Sequence, residues 1–139
     1  NDSIPPGKYL IDSIEFSKLC EPFYRPEYYQ LSAKNNKSSY QILKEWNSVF
    51  IKPETFKQTG FLTIRFIVNC HLELCCFHVY EMDENYQPIQ FDEKVKSQLI
   101  DFVKKLNGWK SAEYEGKPIN YRYYLNFTIK NGEFKRVSP

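Results

Sequence analysis

The stretch "INYRYYLNFTIK", residues 119–130, alternates apolar and polar side chains, and this period of two limits the possible folds more than any other feature of the chain. Ile119, Tyr121, Tyr123, Leu125, Phe127 and Ile129 fall on one side. Asn120, Arg122, Asn126, Thr128 and Lys130 fall on the other, interrupted by Tyr124. Residues two apart share a face only in an extended strand, so this is a long, half-buried β-strand. In Phe61 to Asn69, Leu62, Ile64, Phe66 and Val68 alternate with Thr63, Arg65 and Asn69, with Phe61 and Ile67 as apolar exceptions. A turn around His71 to Leu74 leads into a further strand from about Cys75 to Met82, with Cys75, Phe77 and Val79 on one face. The pair reads as a hairpin. Asn131-Gly132 is a turn signal, after which Glu133 to Val137 folds back as a short strand.

Two segments carry the helical period instead. Ser38 to Phe50 opens on a capping-box pattern, Ser38 with Gln41, and places Ile42, Leu43, Trp46, Val49 and Phe50 in one stripe. Pro53 stops it and opens a short turn through Lys57. Asp92 caps the second helix. Val95, Leu99, Phe102, Val103 and Leu106 line its apolar face, Lys94, Lys96, Asp101, Lys104 and Lys105 its polar one, and Asn107-Gly108 ends it. The order is helix, strand, strand, helix, strand. An apolar sheet face and an apolar helix stripe each need a cover, and here each can cover the other. The expected class is α+β with two layers: an antiparallel sheet of three to four strands packed against two helices. Residues 38–139 form that domain. Residues 1–37, interrupted by Pro22 and Pro26, form an extended or irregular segment packed on it.

With 139 residues, 42% of them hydrophobic and 17% aromatic, the chain suits one domain with one core. A net charge of +2 is too small to argue for nucleic acid or anionic lipid as partner. No apolar run approaches the roughly 18 residues of a membrane span. The opening Asn1-Asp2-Ser3-Ile4-Pro5-Pro6-Gly7 resembles the cut end of a longer chain, natural or engineered, which is compatible with an exported protein.

The reactive side chains gather poorly. Cys70, His71, Cys75 and Cys76 lie within one hairpin rather than in the two separated pairs usual for zinc, and neighbours on a strand point to opposite faces. No metal and no cofactor is expected. Cys20, Cys70, Cys75 and Cys76 allow three fully paired connectivities. Cys70 could bridge the turn to Cys75, or Cys20 could pin the N-terminal segment onto the sheet. A long loop so closed is stabilised by about 3–4 kcal/mol. A cysteine nucleophile with His78 as base is the enzymatic alternative, but no orienting third group or oxyanion loop accompanies it. Asp92-Glu93 is explained by capping and the helix dipole. Trp109 is expected to close the core where helix meets strand. Tyr124 is expected to be exposed, and Tyr24, Tyr28 and Tyr29 near Arg25 form a second aromatic cluster.

Residues 51–130 resemble the TonB C-terminal domain family. The resemblance rests on Pro53-Glu54 ahead of the strand "TGFLTIRFIVN", on Phe91-Asp92 at a helix start, on Trp109-Lys110 after that helix, and on Glu115-Gly116-Lys117-Pro118-Ile119 leading into a strand that contains Leu125-Asn126-Phe127. The family's tight turn between its first two strands is replaced here by Cys70 to Cys76. The resemblance implies a non-enzymatic protein-binding or scaffold domain of the bacterial envelope or periplasm, like the stand-alone domains of Bacteroidetes-type bacteria. It also implies capture of an extended peptide by strand addition along Ile119 to Lys130. Arg122, Tyr124, Asn126 and Thr128 would then be the contact residues. The partner would be a protein or peptide, not nucleic acid, and the competing reading is a small thiol enzyme or redox protein built on the Cys70 to Cys76 hairpin.

Overall fold

A computed structural model describes residues 8–9, 19–20 and 35–139. The elements are β1 (Lys8–Tyr9), α1 (Ser39–Val49), β2 (Gly60–Val68), β3 (Leu74–Met82), α2 (Glu93–Lys105), β4 (Ala112–Tyr114), β5 (Lys117–Ile119), β6 (Tyr121–Lys130) and β7 (Glu133–Ser138). The sheet order is β1-β3-β2-β6-β7, with every neighbouring pair antiparallel. The four long strands match the expected α+β class. The two-residue β1 adds a fifth, and β4–β5 form a separate small hairpin over the Glu115-Gly116 turn. The expected aromatic cluster of Tyr24, Tyr28 and Tyr29 lies outside the described residues, as does most of the segment 1–37.

Both helices cover one face of the sheet. Ile42 and Trp46 from α1, and Val95, Leu99 and Val103 from α2, meet Leu62, Ile64, Phe66, Phe77, Val79, Leu125 and Phe127 from the strands. The centre is aromatic. Trp46 stacks on Phe50 at 4.8 Å and meets the edge of Phe134 at 5.2 Å. Trp109 is buried as expected. It donates Nε1–H to Leu106 O at 3.0 Å and packs edge-on against Phe66 and Tyr123. Large buried rings of this kind supply much of the hydrophobic stabilisation.

The helix termini follow their sequence signals. Ser38 Oγ accepts from Gln41 N, and Asp92 Oδ1 accepts from Lys94 N and Val95 N, so each cap satisfies backbone donors that the first turn leaves open. Two assignments along the helices differ from the periodic reading. Val49, expected in the stripe of α1, is 57% exposed. Lys96, expected on the polar face of α2, is buried with its Nζ 3.2 Å from Glu81 Oε2 and 3.0 Å from Glu93 Oε2. Glu81 Oε1 also accepts from Phe91 N at 2.7 Å. A lysine stem long enough to reach the carboxylate lets a polar position sit inside the core.

The β6–β7 turn requires its glycine. Gly132 has φ +78°, and a Cβ there would collide with Phe56 O, while its N–H donates to Gln58 O at 2.8 Å.

Candidate binding surface

The face of the sheet turned away from the helices is built from the polar half of each alternation. Register arranges it in rows. Phe61 lies between Met82 and Thr128, and Thr128 in turn faces Arg136. Thr63 lies between Tyr80 and Asn126. Arg65 lies between His78 and Tyr124. Ile67 lies between Cys75 and Arg122. Residues directly opposite on neighbouring strands share a face. All four expected contact residues, Arg122, Tyr124, Asn126 and Thr128, therefore stand here beside Thr63, Arg65 and Arg136. Tyr124 is exposed as expected, at 38%.

Several contacts fix the surface. Thr63 Oγ1 donates to Asn126 Oδ1 at 2.8 Å. The Arg65 guanidinium lies 5.3 Å from the centre of the Tyr80 ring, a cation–π distance. His78 Nδ1 lies 3.5 Å from Tyr80 Oη. Burial, and then the charges of Arg122 and Arg65, hold His78 below the ordinary imidazole range.

One end of this face is closed by the cysteines. Cys20 and Cys70 form a disulfide across 50 positions, the alternative in which the N-terminal segment is pinned to the sheet. Asn120 reinforces it: its Oδ1 accepts from Cys20 N, and its Nδ2 donates to Cys20 O, both at 3.0 Å. The side chain thus imitates a strand partner. The turn beneath is organised by Asn69, whose Oδ1 accepts from His71 N and Glu73 N. Cys75 and Cys76 are outside the disulfide, and the expected placement of Cys75 with Phe77 and Val79 is corrected. The β2–β3 register slips between Arg65 and Ile67, where Cys76 takes φ +63°. This bulge turns Cys75 to the outer face against Ile67, and the two sulfurs approach to 2.8 Å, although strict alternation would part them. Both cysteines are buried, under Leu19. Among the described residues the group with metal-ligand spacing is Cys20, Cys70 and His71, and its two sulfurs are joined to each other.

The expected docking edge is occupied over Asn126 to Lys130, while Tyr121 to Leu125 pair with β2 alone. β6 lies between β2 and β7, so Asn126 to Lys130 pair on both sides. The outer side of β7 is in turn held by α1, with Asn47 Nδ2 donating to Phe134 O at 3.4 Å and Ser39 Oγ to Pro139 O at 3.1 Å. Covering an edge with a helix removes the backbone template that strand addition uses.

On the opposite side of the molecule, a groove of about 480 Å³ runs between α1 and α2. Trp46, Val49 and Phe102 give it an apolar lining, and the Lys37–Glu45 pair, at 2.9 Å, stands on its rim. The Trp46 indole N–H is buried without an acceptor. Among the described residues no helix is long and apolar enough to cross a membrane. Comparison with models of known protein families, with curated proteins and with solved structures yields no match.

Proposed function

We propose that this is a non-catalytic protein-binding domain of the cell envelope whose contact surface is the outer face of the sheet. The observation that carries the reading is the register that aligns Thr63, Arg65, Arg122, Tyr124, Asn126, Thr128 and Arg136 on a face no described helix covers. The resemblance of residues 51–130 to TonB C-terminal domains supports a binding role. The β7 return strand favours contact through this face over strand addition along β6. The Cys20–Cys70 disulfide is compatible with an exported protein in an oxidising compartment, and we assign it to the periplasm or envelope on that ground. The thiol-enzyme reading has less support, because Cys70 is spent in the disulfide and Cys75 and Cys76 are 0% and 6% exposed.

The test is site-specific photocrosslinking in the producing cell, with benzoylphenylalanine at Tyr124 or Thr128 and, as reference, at Tyr40, which is 72% exposed on α1. A discrete protein adduct from the sheet positions and none from Tyr40 is expected. Adducts from Tyr40 alone, or the same adducts from all three, would reject the sheet face as the contact surface.

A further inference from the structure

The net charge of +2 conceals an uneven distribution. Arg65, Arg122, Lys130 and Arg136 all stand on the outer face of the sheet. Arg65 and Arg122 occupy diagonal positions across β2 and β6, about 7–8 Å apart along the backbone. Arg136 and Lys130 flank Thr128 at the other end. Among the described residues, none of these four has a carboxylate within 4.0 Å; the ion pairs of the domain are Lys37–Glu45, Lys96 with Glu81 and Glu93, and Lys135–Glu133. Of the described acids, Glu133 stands at the far corner of this face opposite Lys130 and is bound to Lys135, and Glu73 lies at the turn end, where its carboxylate accepts from Asn69 Nδ2 at 3.0 Å. Glu81, the acid nearest in sequence to the β3 surface residues, points the other way into the core.

From this we infer that the surface receives an acidic, extended segment of a partner protein. The proposal rests on the reading of the outer face as the contact surface and adds the chemistry of the occupant. Three of the four cations are arginines, whose planar forks bind carboxylates bidentately. In an extended peptide, side chains on one side recur every 6–7 Å, close to the spacing of the sheet rows beneath them. Thr63 and Asn126 between the charged ends add neutral hydrogen-bonding groups. Single-stranded nucleic acid fits less well, because stacking successive bases needs several open rings. Here the Tyr80 ring is engaged by Arg65 and the Phe61 ring is covered by Tyr86, which leaves Tyr124 and the outer side of Tyr86 as the open rings, at opposite ends of the face rather than in a row.

The test uses fluorescence anisotropy of labelled decaglutamate with the intact, oxidised protein at low salt. Saturable binding is expected. Arg65→Gln and Arg122→Gln should each weaken it at least about fivefold, and together at least about twentyfold. Lys44→Gln and Lys94→Gln remove the same charge elsewhere and should leave it within about twofold. Thermal melts check that the variants fold. Amide chemical shifts of the wild-type protein give an independent reading, with changes expected along Arg65 and Arg122 to Thr128. Equal weakening by the lysine controls, or shifts located on the helices, would reduce the effect to overall charge and overturn the proposal. Tighter binding of a thymidine oligomer or of phosphatidylglycerol vesicles would overturn the choice of occupant. A sheet-face crosslink without decaglutamate binding would discard the acidic occupant and keep the contact surface; loss of the crosslink discards both.

Discussion

The two faces of the central sheet come from the same strands, yet they obey different rules. On the helix side, Leu62, Ile64, Leu125 and Phe127 are essentially inaccessible and interlock with two helices. On the other side, Thr63, Arg65, Tyr124 and Asn126 sit at the alternate positions, half-buried or exposed. The apolar face is held by volume, since a missing group there leaves a void that close packing cannot fill. The outer face is held by pairs, such as Thr63–Asn126 and Arg65–Tyr80, which keep their solvent contact and contribute little each. Most of the packed volume therefore lies on one side, and away from the disulfide and the Ile67–Cys75–Cys76 cluster the other side keeps its solvent contact.

The contrast is broken most directly by truncating neighbours on β6. Phe127→Ala should cost about 3–5 kcal/mol in urea unfolding. Thr128→Ala, one residue on, should stay within about 0.5 kcal/mol. A Thr128 cost approaching that of Phe127 would show that the outer face is also a packed layer.

The disulfide sharpens the comparison at the closed end of the outer face. Replacing Cys20 and Cys70 by serine together should cost about 3–4 kcal/mol through the loop entropy restored to the unfolded chain. Non-reducing mass analysis with thiol labelling of the unfolded protein should find two reactive thiols, Cys75 and Cys76, and no more. Next in size is Gly132→Ala, which forces a side chain into positive φ against Phe56 O and should cost about 2–3 kcal/mol in the same assay.

Tyr121 and His78 oppose each other across the sheet in their pH response. Tyr121 is buried and donates its hydroxyl to Lys110 O at 2.7 Å, and burial, then the neighbouring Tyr123, raises its pKa. The unfolded chain loses this proton from about pH 10 upward while the folded one keeps it. Stability should thus be intact below pH 10 and decline above it. Tyr121→Phe should remove that share of the decline and cost about 1 kcal/mol at neutral pH. His78 works at the other end. Its folded pKa lies below the ordinary value of about 6.5, so the unfolded chain binds the extra proton first as pH falls. Stability should be complete above that value and drop modestly below it. His78→Gln should flatten this part of the profile, and an unchanged acid limb would remove His78 from the account.

Much of the core was legible because periodicity reports burial. Both caps, the Trp109 closure and the β7 return follow from local signals; the Asn107-Gly108 stop does not act as read, because α2 already ends at Leu106 in extended backbone. The exceptions have nonlocal causes. Alternation places Cys75 on the core face, but a bulge at Cys76 shifts the register and turns it outward. Lys96 looked solvated, and it is buried because Glu81, fifteen residues earlier, waits inside. The candidate surface was half visible. Arg122, Tyr124, Asn126 and Thr128 lie on one strand and could be read together, whereas Arg136 joins them only through β6–β7 pairing.

The sequence by itself determined which residues form helices and strands and which side of each is apolar, because those properties depend on neighbours a few positions away. Tertiary structure alone decided which cysteine Cys20 meets, that β7 pairs along the Asn126–Lys130 half of β6, and that arginines from three strands share one face. Those outcomes depend on register between segments distant along the chain, which no local period encodes.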